Sequence, residues 1–219
     1  MAVRERFHDE LKALREKLLE IGNLTEEALN HSFQSLTNRD IEAALEVIDE
    51  DYKIDRLEEE IDDLAILLIA KQQPVAIDLR RIIVAIKIAT DIERMADFAV
   101  NIAKSTIRIG KEPLIKPLEH ITKMYELAGS MLSLSLKSYY DEDVVLAKKV
   151  AEMDDEVDDL YGETIIELLS IAKEQQEALP QITQLLFIAR YLERFADHAT
   201  NIAESVFYLV KGKRYELNE

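Results

Sequence analysis

Apolar residues return along this chain in steps that keep them on one side of a helix. Positions 47, 54, 61, 65 and 68 are Val, Ile, Ile, Ala and Leu, and steps of seven, four and three predict the buried seam of a helical bundle. Val150, Val157, Tyr161 and Leu168 repeat the stripe about a hundred residues later. Carboxylates interrupt both seams, at Asp51 and Glu58 in the first and at Asp154 in the second. Pro is tolerated in a first helical turn but not in a helix interior, so Pro74, Pro113, Pro117 and Pro180 mark starts. With Asn38–Asp40, Gly110 and Tyr140–Asp143 they divide the chain into six long helices, at roughly 3–36, 40–72, 75–109, 115–138, 142–175 and 180–211. Short links make consecutive helices antiparallel.

The chain is internally duplicated. ERMADFAVNIAKS at 93–105 returns as ERFADHATNIAES at 193–205, an offset of 100. Asp40, Ala44, Val47, Asp51, Asp55 and Leu57 return at an offset of 103 as Asp143, Ala147, Val150, Asp154, Asp158 and Leu160. A three-residue deletion between the second and third helices of the second copy reconciles the two offsets. The predicted fold is all-α: two pseudo-symmetric antiparallel three-helix bundles, 1–112 and 113–219, dividing near Gly110–Lys116.

Composition agrees. With 219 residues, 48% of them hydrophobic, the chain can bury a substantial core, and only 5 Gly and 4 Pro leave little turn material. The lack of Cys excludes disulfides, iron–sulfur clusters and thiolate zinc sites. The charged N-terminus MAVRERFHDELKALREK does not read as a signal peptide, and no apolar run approaches the roughly 20 residues a membrane span needs. These features predict a cytoplasmic protein. A formal net charge of −17 makes nucleic acid a poor partner, since phosphate binding needs a basic surface. It suits cations or basic protein surfaces.

The candidate chemistry lies in paired acids. Asp51/Asp55, Glu93/Asp97, Asp154/Asp158 and Glu193/Asp197 are each four residues apart, a spacing that puts two like charges on one helix face, where they repel. If the second and third helices of each bundle pack antiparallel, two such pairs converge and require a cation. Arg94 and Arg194 follow the acids directly, but one residue turns a side chain about 100° around the helix, so they are expected to be poorly aimed. Arg190 is better placed against Glu193. Oxygen-only ligation, with Asn101 and Asn201 one turn further on, favours a hard cation, Fe³⁺, Mn²⁺, Mg²⁺ or Ca²⁺, over zinc. On a helical wheel the acids flank the apolar stripe, which predicts a site open to solvent.

Other signals are weaker. Glu5 and His8 form one Glu-x-x-His, whereas a ferritin-like di-metal site needs two. His198 points away from Glu193 around the helix and is expected to be exposed or to face a partner. No glycine-rich phosphate loop, nucleophile elbow or zinc-protease motif is present.

The strings QPVAIDLRRI (73–82), DIERMADFAVNIAK (91–104), DEVDDLYGE (155–163) and YLERFADHATNIAESVFYLVKGK (191–213) closely resemble the PhoU family, accessory proteins of bacterial phosphate-specific transport. The resemblance spans both halves. It implies two three-helix bundles, usually in a homodimer, with multinuclear metal clusters, iron in some members. The implied ligands are Asp51, Asp55, Glu93 and Asp97 in the first bundle and Asp154, Asp158, Glu193 and Asp197 in the second. Asp155 and Asp159 offer the same spacing one residue along, and Glu58, Asn101 and Asn201 could contribute. The implied role is negative regulation of phosphate uptake and of the phosphate-starvation response, linking the transporter ATPase to a membrane sensor histidine kinase. Membrane association would then be indirect, through partners. An adaptor of this kind is not an enzyme. The rival is a carboxylate-bridged metalloenzyme, an oxidase or phosphohydrolase, because clustered acids around hard metals can activate water. A blander reading is a helical scaffold whose acids bind adventitious ions only.

Overall fold

The computed structural model describes residues 2–215 and 217, with side chains from residue 7 onward. Its helices are α1 (Ala2–Asn38), α2 (Ile41–Glu50), α3 (Tyr52–Gln72), α4 (Ala76–Ile109), α5 (Glu119–Asp141), α6 (Val144–Glu174) and α7 (Leu179–Lys211), with a single 3₁₀ turn at Gln176–Ala178. These make the six rods expected. The second rod is divided at Asp51, where the turn tightens: the Ile54 amide donates to the Asp51 carbonyl at 2.8 Å, closer than the Asp55 amide at 3.3 Å. Among the described residues, no helix is long and apolar enough to cross a membrane.

The duplication also governs helix ends. Asp40 caps α2 by accepting from the Glu42 and Ala43 amides, and Asp143 caps α6 by accepting from Val145 and Leu146. Each satisfies orphan first-turn donors. Before each cap the chain turns through a left-handed residue, Arg39 (φ 58°) or Glu142 (φ 52°), and the cap amide closes onto the Ser35 or Ser138 carbonyl at 2.9 Å. Ser32 and Ser35 bond back into α1 as Ser135 and Ser138 do into α5. The repeat therefore includes the first helix of each unit. Pro180 sits in the first turn of α7, and Pro74 precedes α4, following a left-handed Gln73 (φ 43°).

In the first unit α1, α3 and α4 pack together, with α2 against α1 and α4; in the second, α5, α6 and α7. The largest interface, α4 against α7, crosses between units, as does a smaller contact of α1 with α5. A Cβ at Gly22 of α1 would meet the Leu136 side chain of α5, which would have to shift to admit it. One hydrophobic core runs through both units, with a small satellite of Ala44, Val47, Val100 and Ala103 under α2. The predicted seam is buried throughout at Val47, Ile54, Ile61, Ala65 and Leu68, and so are Val150, Asp154, Val157 and Leu168 of its counterpart.

An ionic cluster ties the units at one end. Arg81 of α4 donates Nε to Glu142 Oε1 at 3.0 Å and Nη2 to Oε2 at 3.3 Å, a bidentate fork. Its Nη1 reaches Asp78 at 3.2 Å, and Arg15 of α1 joins the same Glu142. Partial burial opposes the Glu142 charge, but the Arg81 and Arg15 guanidiniums hold its carboxyl below the usual range. Burial pushes the neighbouring Tyr139 phenol up to about 12. Arg80 caps the far end of α7, donating to the Leu209 carbonyl at 3.2 Å and lying 5.5 Å over the Tyr208 ring. Thus Arg80 and Arg81 of the QPVAIDLRRI segment join the two units, with Asp78 holding Arg81 from within α4.

Candidate metal centre

Antiparallel packing of α3 on α4 sets the acids of the first unit against one another. Thr90 of α4 donates Oγ1 to Glu58 Oε1 of α3 at 3.2 Å, which registers the two helices. Asp51 is half-buried, and its carboxyl is pushed up to about 6, by burial and then by the charges of Asp55 on its own rod and Asp97 across the groove; Lys104 opposes the shift. Glu93 is raised by burial and then by Asp97, with Arg94 pulling the other way and Asp55 and Glu58 adding to the rise. Glu58 is raised by burial and then by Asp62, against its bond from Thr90. Asp55 and Asp97 themselves stand in solvent.

The second nest has the same acids in a deeper setting. Asp154 is 2% exposed and Glu193 is 9% exposed. Burial, then Asp197 and Asp158, push Glu193 up to about 7, against Arg190 and Arg194. Asp158 is raised by burial and by Asp197, Asp155 and Asp159, with Arg190 opposing. Arg190 donates to Glu193 Oε1 one helical turn away, as its spacing predicts, and covers the Tyr161 ring at 5.6 Å. Glu193 Oε2 accepts no hydrogen bond.

The structure therefore places Asp51, Asp55, Glu93 and Asp97 in one mutually repelling group, and Asp158, Glu193 and Asp197 in another with Asp154 buried in the same seam. Among the described residues, no group of three or more acidic or histidine side chains is disposed to hold a metal ion. The donor set, all hard oxygen, nonetheless fits a hard cation. So does the orphaned, buried Glu193 Oε2, an acceptor without a donor.

Three sequence expectations need correction. Arg94 and Arg194 do reach the acids: Arg94 Nε lies 3.6 Å from Glu93 Oε2, Arg194 Nε 3.9 Å from Glu193 Oε2, and Arg194 Nη1 3.7 Å from Asp197 Oδ2. Their long stems curl back over the 100° offset, although the distances are loose and the Arg side chains largely exposed. His198 is neither exposed nor facing outward. Its Nδ1 meets Asp91 Oδ1 of α4 at 2.8 Å, and its ring lies 5.7 Å from Phe98. Asn201 points the same way, its amide donating to Asp91 at 3.4 Å, so it serves the α4–α7 contact rather than the acids. The Glu5 side chain lies outside the described residues.

The sequence reading passed over the contrast between Thr90 and its counterpart Arg190, which the offset of 100 pairs directly. It also passed over Asp91 and Phe98, whose counterparts are Tyr191 and His198. The polar contact Asp91–His198 and the ring contact Phe98–Tyr191, at 6.2 Å, occupy equivalent places in the α4–α7 crossing. The signal was available in the aligned strings as substitutions of opposite character.

Comparison with known proteins gives a consistent result. The PhoU domain matches twice, at residues 18–106 and 121–206. A phosphate-specific transport system accessory protein PhoU homolog of Clostridium acetobutylicum is 39% identical over 217 residues, covering 99% of both chains. The homolog of Aquifex aeolicus is 40% identical over 204 residues, covering 93% of this chain and 92% of the relative. Among solved structures, PhoU from Pseudomonas aeruginosa superposes with a TM-score of 0.89 at 33% identity, covering 94% of this chain and 100% of the other. The phosphate transport system regulatory protein PhoU from Streptococcus pneumoniae gives 0.90 at 31%, covering 96% and 99%.

Proposed function

The chain belongs to the PhoU family, and from that membership we propose that it is a metal-binding adaptor that represses phosphate uptake and the phosphate-starvation response. The family is one of accessory and regulatory proteins of phosphate transport, not of enzymes, which sets the metalloenzyme alternative aside. On this reading the protein is a cytoplasmic homodimer. It contacts the ATPase of the phosphate transporter and the sensor histidine kinase, and reaches the membrane only through them. Each repeat, 1–112 and 113–219, carries one acid nest.

The observation that carries the metal half of the proposal is the convergence of like charges: Asp51 is pushed up to about 6 and Glu193 to about 7, each by burial and by acids of the same group. A bound hard cation, iron in preference to Mn²⁺, Mg²⁺ or Ca²⁺, supplies the positive charge that lets these carboxylates stay ionised side by side. Asp51, Asp55, Glu93 and Asp97 would hold it in the first repeat, and Asp154, Asp158, Glu193 and Asp197 in the second. Exposed Asp55, Asp97 and Asp158 are free to rotate towards their buried neighbours. Relief of the repulsion stiffens the α3–α4 and α6–α7 seams and fixes the charge that a partner meets.

Metal analysis of protein purified without an affinity tag tests the site, together with the variant Glu93→Gln, Asp97→Asn, Glu193→Gln, Asp197→Asn. The expected result is bound metal in the parent and loss of it in the variant with unchanged helicity. A cation at about 100 times its Kd should also stabilise the parent by about 2.7 kcal/mol. Equal metal content in both proteins rejects these ligands. For the adaptor, failure to bind either ATPase or kinase in both phosphate-rich and phosphate-poor conditions rejects the proposed contacts.

A further inference from the structure

At the α4–α7 crossing, near the end of the molecule where Arg80 meets α7, the two helices and the C-terminal segment enclose a cleft of about 550 Å³. That is the size of a small-molecule site. Two basic and two acidic side chains line it, in a chain that has 44 acidic side chains against 27 basic ones overall. Lys87 and Arg214 both line the cleft and form no ion pair among the described residues. The two acids in the wall are already engaged: Asp91 by His198 and Asn201, Glu204 by the Leu217 amide at 2.9 Å. Formal charges in the lining therefore balance, two basic against two acidic, and among the described residues the two basic groups are the ones left without a hydrogen-bonded partner.

The cleft also has aromatic walls. Tyr208 and Tyr215 line it; Arg214 lies 6.0 Å from the Tyr208 ring centroid and Arg80 5.5 Å, while Tyr215 tilts against Phe207 at 5.8 Å. The largely buried Ser205 also lines it. Two unpaired cations select an anion, since charge-assisted bonds from Arg and Lys suit phosphoryl oxygens. Two phenol rings select a flat partner, and bases stack on such rings whatever their identity.

We propose that this cleft binds a nucleotide, with the phosphates on Lys87 and Arg214 and the base against Tyr208 and Tyr215. The site borders the first acid nest at Thr90, which lines the cleft and donates to Glu58, and it needs no metal.

Calorimetric titration of the full chain in metal-free buffer tests the proposal, with ADP, inorganic phosphate and adenosine as probes. Saturable one-to-one ADP binding is expected, with phosphate and adenosine each at least about tenfold weaker, because each keeps one half of the recognition. Lys87 and Arg214 are exposed, so the double variant Lys87→Glu, Arg214→Glu should fold with unchanged circular dichroism and lose about 100-fold in ADP affinity. Tyr208→Leu should weaken ADP but not phosphate. No saturable ADP binding overturns the proposal, as does ADP binding that survives the double charge reversal. Phosphate binding as tightly as ADP would make the cleft a simple anion site, and adenosine binding as tightly would remove the cations from the recognition; either refutes the nucleotide.

Discussion

The two acid nests carry the same carboxylates and neutralise them differently. In the first, position 90 is Thr, whose neutral hydroxyl is shared between Glu58 at 3.2 Å and the Ile86 carbonyl at 3.3 Å. In the second, the equivalent position 190 is Arg, which bonds Glu193 within the helix. Depth follows the same division. Glu193 and Asp154 are buried, whereas Asp51 and Glu93 are only half-buried, and α6 runs unbroken through Asp154 where the first repeat breaks its rod at Asp51. A buried carboxylate is tolerated when an internal cation meets it; without one, the acids remain nearer to water. Duplication copied the acids, and divergence at position 90/190 gave the second copy a hydrogen-bonded cation on its glutamate, where the first has only Arg94 at 3.6 Å and the more distant Lys104. The first nest thus depends more on an external cation than the second.

Removing the internal cation should have the largest effect. Arg190→Thr gives the second nest the first one's chemistry at the second one's depth, leaving Glu193 without the donor to its Oε1. Stranding a buried charged acceptor costs about 1–3 kcal/mol, at the lower end here because Arg190 is partly exposed. Chemical denaturation at pH 8 should read that loss, and it should shrink at pH 5.5, where a carboxyl titrating at about 7 is mostly protonated. A loss equal at both pH values would mean that Arg190 acts by packing on Tyr161 and not by charge.

The reciprocal change is smaller. Thr90→Arg places a guanidinium three residues before Glu93, the spacing of Arg190 and Glu193. It should stabilise metal-free protein slightly and lower the affinity of the first nest for Mn²⁺ by roughly fivefold, about 0.9 kcal/mol. Isothermal titration of parent and variant measures this directly. An unchanged Mn²⁺ isotherm would show that the first nest does not take the cation at Glu93.

Most of the helical frame was legible because apolar periodicity and proline placement are local properties. The rods at 75–109 and 180–211 differ from α4 and α7 by a single residue at one end. The start of α5 is four residues later than expected, since Pro117 sits in the link rather than in the first turn. The break at Asp51 was not legible, because every residue from 41 to 72 has helical character and the tightened turn shows only in its hydrogen bonds. The acids were found by their repeat spacing, but their depth was not, because burial depends on neighbouring helices. Glu142 was missed for a related reason: its counterpart is Arg39, so the repeat conceals the residue that joins Arg15 and Arg81 across the units.

The pH response of metal-free protein gives the smallest effect. Most stabilising carboxylates titrate lower in the folded state, so acid weakens the protein. Asp51 and Glu193 do the reverse, titrating at about 6 and about 7 when folded, above the ordinary carboxylate values of 3.8 and 4.5. The folded state then binds more protons than the unfolded one between about pH 4 and 7, so stability must fall as pH rises through that window. Glu50, Glu60 and Glu142, whose carboxyls are held below their usual range, lose their contribution only at more acidic pH. Since Asp51 is only half-buried and Glu193, though buried, is met by Arg190 and Arg194, the gain on going from pH 8 to 5.5 should be under about 1 kcal/mol for each, or about 2–4 °C in Tm per kcal/mol for a chain of this size. Bound cation should flatten the slope, because it relieves the same repulsion that the protons relieve. Arg190→Thr should steepen it, since Glu193 then titrates higher still. A parent Tm that rises steadily from pH 5.5 to 8 without metal would show that the acids of the two nests do not oppose one another in the folded protein.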